Sequence, residues 1–131
     1  MFGSLKVVIR CANLDASRAF YAEVLGLAVI EQREEQDGRG LIVSVCNGAF
    51  IEVYEMSPTD RRFDTRFRER VSSDKIDIQL RTESVDDWAA RLSGRWPFRG
   101  PELLPWGQGW IRLRDPDGLL IAIYSEQSGA L

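Results

Sequence analysis

Apolar and polar residues alternate along most of this chain, which is the pattern of strands that bury one face. The closing segment Trp110–Tyr124 shows the alternation most clearly, because two alternating arms surround the sequence DPDG at 115–118. Proline, aspartate and glycine in this order favour a tight turn, so the segment predicts a β-hairpin. One face of the hairpin is aliphatic and suits a covering helix. The other face carries aromatic and charged residues and suits a cavity.

Two segments have helical periodicity instead. Asn13 is the predicted N-cap of a helix from about Leu14 to Leu25, and Gly26 is its predicted end. Ser84 is the predicted cap of a second helix, which ends at Gly94. Each helix has one apolar stripe, as expected for a helix that lies on a sheet.

The same order of elements, one strand, one helix and three further strands, occurs twice along the chain. The predicted strands outside the closing hairpin are Leu5–Cys11, Ala28–Gln36, Leu41–Cys46, Ala49–Glu55, Lys75–Arg81 and Trp96–Leu104. We therefore predict an α+β fold of two tandem βαβββ modules, at about 4–57 and 74–126, within one domain of 131 residues.

The segment 58–73 between the modules is dense in charge. It is either a solvated connector or a flap over a pocket, with Phe63 and Phe67 reaching inward.

Composition narrows the function classes. The net charge of −3 is unfavourable for nucleic acid or an anionic membrane surface as partners. No apolar run is long enough for a membrane span and the N-terminus lacks a signal-peptide core, so we expect a cytoplasmic protein. Cys11 and Cys46 lie in apolar surroundings and are expected to be reduced core residues.

The chain contains no histidine, which excludes a Ser-His-Asp triad and any histidine-based zinc or iron site. An enzyme of this sequence would have to use carboxylates, Lys, Tyr, Cys or a metal held by carboxylates alone.

Two motifs resemble the vicinal oxygen chelate superfamily, which includes glyoxalase I, extradiol dioxygenases and bleomycin-resistance proteins. LDAS (14–17), FY (20–21) and LG (25–26) match its DLxxSxxFYxxxLG pattern, with Asn13 in place of the aspartate. DPDG (115–118) matches its DPDGNxIEL pattern. The resemblance covers nearly the whole chain. It implies two βαβββ modules that form a cup-shaped mixed sheet, often in a homodimer.

Enzymes of this family hold a divalent metal with His or Glu on four strands. Alignment by the motifs places those positions at Lys6, Glu52, Asp77 and Ala122. Only Glu52 keeps a family-type ligand, and an ammonium group at Lys6 would compete with a cation for the same oxygens. We therefore expect neither a metal nor another cofactor.

The strand pattern independently places all four positions on the faces opposite the aliphatic ones. Gln79 lies on the same face as Asp77. Separately, the sequence PWG (105–107) resembles a motif of the bleomycin-resistance branch. The candidate ligand-binding residues are Lys6, Arg10, Glu52, Tyr54, Asp77, Arg81, Trp106, Trp110, Arg112 and Tyr124.

The leading hypothesis is a metal-free homodimer that binds or sequesters a small molecule, as in antibiotic resistance. Tyr54, Trp106 and Trp110 would stack on the ligand, and Arg112 with two carboxylates, Glu52 and Asp77, would orient it. Bleomycin-type drugs are cationic, whereas the predicted cup has an excess of cations. This mismatch favours an aromatic or anionic ligand.

Two alternatives remain open. One is a small lyase, isomerase or dioxygenase-like enzyme with an atypical metal site, or with Glu52 or Asp77 as general base and Lys6 or Arg112 stabilising an oxyanion. The other is a structural or regulatory dimer, in which Lys6 and Arg81 simply pair with Glu52 and Asp77.

Overall fold

The computed structural model of the chain describes residues 1–57, 69–71 and 73–126. It divides into unit 1, Met1–Arg70, and unit 2, Val71–Leu131, and each unit contains one sheet. The predicted flap residues Phe63 and Phe67 lie outside the described residues. Among the described residues, no helix is long and apolar enough to cross a membrane.

Unit 1 is a four-stranded mixed sheet with one helical segment. The strands are β1 (Leu5–Arg10), β2 (Ala28–Glu35), β3 (Gly38–Cys46) and β4 (Ala49–Met56). Their order in the sheet is β1-β4-β3-β2, with β1 parallel to β4 and the other neighbours antiparallel. Helix α1 (Leu14–Arg18) continues into a π-helical segment, Ala19–Val24, and both lie between β1 and β2 in sequence.

The π-helical segment is the main departure from the predicted regular helix. Asn13 caps α1 as predicted, with its side-chain oxygen accepting the Ala16 N–H at 3.1 Å. Two adjacent rings in this segment, Phe20 and Tyr21, are fully buried and meet edge to face. Gly26 ends the helix with φ of 70°, as a left-handed glycine does.

Unit 2 repeats the architecture of unit 1. Its elements are β5 (Asp77–Arg81), α2 (Val85–Leu92), β6 (Arg99–Leu103), β7 (Gly109–Arg114) and β8 (Leu120–Ser125). The sheet order is β5-β8-β7-β6, with β5 parallel to β8. The prediction of an α+β fold with two tandem βαβββ modules is therefore confirmed.

The predicted turn between β7 and β8 is held by its own aspartate. Asp115 is buried, and its Oδ1 accepts the N–H groups of Asp117 at 2.9 Å and Leu119 at 2.8 Å. The Gly118 N–H closes the turn on the Asp115 carbonyl at 2.9 Å. These bonds fix the register of β7 on β8 and so decide which side chains share a face.

The aliphatic faces of the sheets are buried, as the alternation predicts. The buried side chains are Leu41, Val43, Ile51 and Val53 in unit 1 and Ile111, Leu113, Ile121 and Ile123 in unit 2. Full burial of one such side chain contributes about 1.5–3 kcal/mol to the free energy of unfolding. Cys11 is buried and free, but Cys46 is exposed because it lies at the end of β3. The prediction that both cysteines are core residues is therefore wrong for Cys46.

A carboxylate on β4 fastens the start of α1 to the sheet. Glu55 Oε2 accepts the Leu14 N–H at 2.6 Å, and Oε1 lies 3.3 Å from Nε of Arg39, which also reaches Asp15 at 3.4 Å. Burial raises the pKa of Glu55, but the hydrogen bonds from Arg39 and Leu14 and the Arg39 charge outweigh it. The pKa of Glu55 is therefore lower than usual. The same contact raises the pKa of Arg39.

Candidate functional site

In unit 1 the sheet face opposite α1 brings together four of the predicted site residues, and we name it the first polar face. Lys6 and Arg10 of β1 lie on it with Glu52 and Tyr54 of β4. The parallel register places Val8 beside Glu52 and Arg10 beside Tyr54. The alternation along these two strands therefore predicted their common face.

Glu52 is the centre of the first polar face. The residue is only 6% exposed, and its Oε1 lies 2.9 Å from Nζ of Lys6. Its Oε2 forms a second ion pair with Nη2 of Arg33, on β2. Arg33 also lies 3.8 Å from Glu31. A buried carboxylate needs such compensation, and here two cations of the protein supply it.

Arg33 is a site residue that the sequence analysis missed. It lies on the first polar face because it is paired with Gly40, which is in turn paired with Tyr54. The register of β2 shifts between Val29 and Glu31, so simple alternation from the start of the strand gives no reliable phase beyond the shift.

The ring of Tyr54 lies across the neighbouring strand. Gly40 is buried, and a Cβ on it would come within 2.9 Å of Cδ2 of Tyr54. The absence of a side chain at this position therefore makes room for the tyrosine ring. Tyr54 forms an aromatic part of the first polar face, one strand away from Arg33.

In unit 2 the face opposite α2, named the second polar face, groups an aromatic pair with an arginine. Trp110 is paired with Tyr124 across β7 and β8. The Arg112 guanidinium carbon lies 4.7 Å from the centroid of the Trp110 ring, which is a cation–π contact. The buried indole N–H of Trp110 has no hydrogen-bond acceptor among the described residues.

Asp77 and Arg81 of β5 lie on the second polar face but do not pair with each other. Asp77 accepts a hydrogen bond from Nε2 of Gln79 at 3.1 Å, and Arg81 lies 3.3 Å from Glu126. The structural-dimer alternative paired Arg81 with Asp77, but the partner of Arg81 is Glu126, just after β8. The expected pairing of Lys6 with Glu52 is present.

Trp106 lies in the turn between β6 and β7 and is 70% exposed. Its indole N–H donates to Oε1 of Gln108 at 3.1 Å. The structure thus places this predicted stacking residue outside the strands that carry the second polar face.

Comparable rows of the two sheets carry opposite charges. Taking Ala122 as the equivalent of Glu52, as the family motifs align them, the strand pairing defines one row in each unit. The row in unit 1 runs Val8, Glu52, Ile42 and Glu31. The row in unit 2 runs Gln79, Ala122, Arg112 and Arg99. The charged residues of these rows are thus Glu52 and Glu31 in unit 1 and Arg112 and Arg99 in unit 2.

A cleft of about 330 Å³ adjoins Arg99 and Arg112, which we call the arginine row. Its lining consists of Asp74, Pro97, Phe98, Arg99, Arg112, Leu113, Arg114 and Leu120. Arg114 donates two hydrogen bonds to the Asp74 carboxylate, from Nη1 to Oδ1 at 2.6 Å and from Nη2 to Oδ2 at 3.0 Å. This hydrogen bonding lowers the pKa of Asp74 and raises that of Arg114. The sequence analysis did not single out this pair.

The residues at the four family metal positions do not fit a divalent cation. The ammonium group of Lys6 contacts the carboxylate that would ligate, and Ala122 is fully buried and has no donor atom. In the part of the chain that the structure describes, no group of three or more His, Cys, Asp or Glu side chains could hold a metal. The donor set thus differs from the one that the family's metalloenzymes use.

Many solved structures are similar to this one. TnmS3, an antibiotic binding protein from Streptomyces sp. CB03234, is 22% identical over 96% of this chain and 97% of its own, with a TM-score of 0.72. A glyoxalase/bleomycin resistance protein from the same organism is 24% identical over 89% and 97%, with a TM-score of 0.60. A lactoylglutathione lyase from Agrobacterium tumefaciens is 19% identical over 97% and 96%, with a TM-score of 0.69. At these identities the likeness shows the fold alone.

No curated protein sequence matches this chain significantly. A family model matches residues 4–123, nearly the whole chain, and it describes the same superfamily that the two motifs resemble. The chain therefore belongs to the Glyoxalase/Bleomycin resistance protein/Dioxygenase superfamily.

Proposed function

We propose that this protein binds or sequesters a small molecule and does so without a metal ion. The observation that carries the proposal is the double ion pair of Glu52 with Lys6 and Arg33. Two protein cations neutralise the one carboxylate that matches the family's metal ligands, so a divalent cation would have to displace both.

The composition of the polar faces supports a binding role. Tyr54 on the first face, and Trp110 with Tyr124 on the second, offer flat apolar surface for stacking. Arg112 and Asp77 offer charge that can orient a polar ligand. The structural likeness to an antibiotic binding protein is consistent with this role, and sequestration of an antibiotic is one use that such binding would have.

The enzyme alternative has less support. A general base must be free to take a proton from the substrate, but Glu52 is engaged by two cations. Asp77 is only partly buried and already accepts a hydrogen bond from Gln79. The likeness to a lactoylglutathione lyase shows a shared fold, and fold alone does not assign a reaction.

The metal part of the proposal is tested on the protein purified without chelators. We expect bound Mn, Fe, Ni and Zn to be far below one ion per chain, and added Ni²⁺ or Mn²⁺ to leave the unfolding midpoint unchanged. A stoichiometric ion that is lost in the variant Glu52→Gln would contradict the proposal.

The binding part is tested by tryptophan fluorescence against a panel of neutral, cationic and anionic aromatic compounds. A ligand at the second polar face should change the tryptophan emission of wild type. It should change the emission of Trp88→Phe equally, because Trp88 lies on α2, and that of Trp110→Phe much less. A panel without any saturable response would overturn the binding function.

We also propose that the protein is a cytoplasmic homodimer, as members of this superfamily often are homodimers. Light scattering on a sizing column tests the dimer, and we expect a mass of twice the 14.9 kDa of one chain. A mass of one chain at micromolar concentration would contradict the dimer.

A further inference from the structure

The cleft beside the arginine row has the size of a small-ligand site. Its volume of about 330 Å³ lies at the lower end of the range for ligand pockets, which begins at roughly 300 Å³. One part of its wall is apolar, formed by Pro97, Phe98 and Leu120, and the other part carries guanidinium groups. A molecule with a flat apolar body and a polar end matches this division.

The charges around the cleft are not balanced. Arg114 has Asp74 as its own partner, but Arg99 and Arg112 share one carboxylate among the described residues. That carboxylate, Glu102, lies 3.2 Å from Nε of Arg99 and 3.7 Å from Nη2 of Arg112. Three guanidinium groups thus meet two carboxylates, in a chain whose formal net charge is −3.

The strand pairing holds two of the like charges side by side. Arg99 is the direct partner of Arg112 across β6 and β7. Like charges directly opposite each other on a sheet are unfavourable, and a bound anion would relieve the repulsion. The fold itself does not require the two arginines, because the equivalent row of unit 1 has Glu31 and Ile42.

We propose that this cleft binds an organic carboxylate with a planar apolar body. The carboxylate accepts hydrogen bonds from Arg99 and Arg112, and the body packs on Phe98 and Leu120. Arg114 and Asp74, which both line the cleft, form a bidentate contact of the kind that a ligand carboxylate would form with a guanidinium group. The inference rests on the proposed small-molecule function and adds the class of ligand and the end of the second polar face that takes it.

Calorimetric titration with 2-naphthoate and with its neutral analogue 2-naphthamide tests the inference at low ionic strength. We expect wild type to bind the carboxylate about tenfold more tightly than the amide, because the carboxylate offers the guanidinium groups a full opposite charge and a second acceptor oxygen. The variants Arg99→Met and Arg112→Met should each lose about tenfold in affinity for 2-naphthoate, and a cooperative unfolding transition verifies that each variant is folded.

The matched control is Arg91→Met. Arg91 lies over the ring of Trp88 at 4.6 Å, which resembles the contact of Arg112 with Trp110, but it is not part of the cleft. Its variant removes the same charge from the same unit and should bind 2-naphthoate as wild type does.

Equal affinity for 2-naphthoate and 2-naphthamide, or no effect of Arg99→Met and Arg112→Met, would overturn the inference. If 2-naphthoate does not bind while another compound of the fluorescence panel does, the inference falls and the proposed function stands. If no compound binds, both fall.

Discussion

The ammonium nitrogen of Lys6 lies 2.9 Å from Oε1 of Glu52, on two neighbouring strands that run parallel. Arg33 reaches the other oxygen of the same carboxylate from β2. Three strands of unit 1 thus meet at one nearly buried charge. A contact of this kind joins strands that are distant in sequence, so its loss should weaken the unit as a whole.

The variant Arg33→Met tests that contribution. We expect it to lower the free energy of unfolding by about 1–3 kcal/mol, because Glu52 stays buried with only one cation. Urea denaturation at neutral pH measures the change. Glu31→Gln is the control, because that partner is exposed and lies 3.8 Å from Arg33, so its loss should cost less than about 0.5 kcal/mol. Equal effects of the two variants would contradict the central role of Glu52.

The contact between Glu55 and the start of α1 predicts a pH dependence. The pKa of Glu55 is lower in the folded protein than the ordinary value near 4.3 in an unfolded chain. Its stabilising contribution is therefore complete above about pH 4.3 and is lost as the pH falls through the lower, folded-state value. Glu55→Gln should reduce stability at pH 7 by about 1–2 kcal/mol and should flatten the acid limb of the stability curve.

Unfolding by urea across pH 7 to 3 measures both effects. Glu34→Gln serves as the control, because Glu34 is exposed on β2 of the same unit. An acid limb of unchanged slope in Glu55→Gln would show that other groups cause the acid sensitivity.

Gly40→Ala should be destabilising although the change is small. The new Cβ would lie 2.9 Å from Cδ2 of Tyr54 and 2.9 Å from the Val53 carbonyl oxygen, so the ring and the strand must shift. We expect a loss of about 1–3 kcal/mol in thermal or urea unfolding. Gly3→Ala is the matched control, because no heavy atom lies within 4 Å of a Cβ built there. A neutral result for Gly40→Ala would contradict the close approach of Tyr54.

The Asp74 carboxyl should titrate below its ordinary value of about 3.9, because Arg114 hydrogen-bonds to its charged form. Carbon-detected NMR of the side chain follows the midpoint directly. Arg114→Met should return the midpoint to the ordinary range. Arg112→Met should move it less, because Arg112 acts on Asp74 through its charge alone. Identical titrations in wild type and Arg114→Met would show that the two-pronged contact does not form in solution.

Much of the fold followed from local rules. Caps at Asn13 and Ser84 and the turn at 115–118 depend on neighbouring residues, and all three form as predicted. The division into an aliphatic and a polar face also held in β1, β4 and β7. Among the described residues, each sheet has its helix on one side, so the alternation in these strands indicates which face packs against that helix.

The parts that the sequence did not show depend on partners far along the chain. Arg114 and Asp74 meet across 40 positions, and no local spacing marks that contact. Pairing of Glu102 with Trp110 follows a register shift in β6 at a segment with proline, which interrupts the alternation. The π-helical segment has the same apolar spacing as an α-helix, so periodicity could not separate the two.

The opposite charges of the equivalent rows have an evolutionary consequence. If the two units arose by duplication, their aliphatic layers have stayed alike while Glu52 and Arg112 have come to mark different halves. A recombination event that copied one half over the other would keep an aliphatic layer in both halves but remove the charge difference between the two rows. On the proposed binding function, we expect that exchanging a few side chains within a single row changes ligand selectivity, because the hydrophobic layer beneath stays the same.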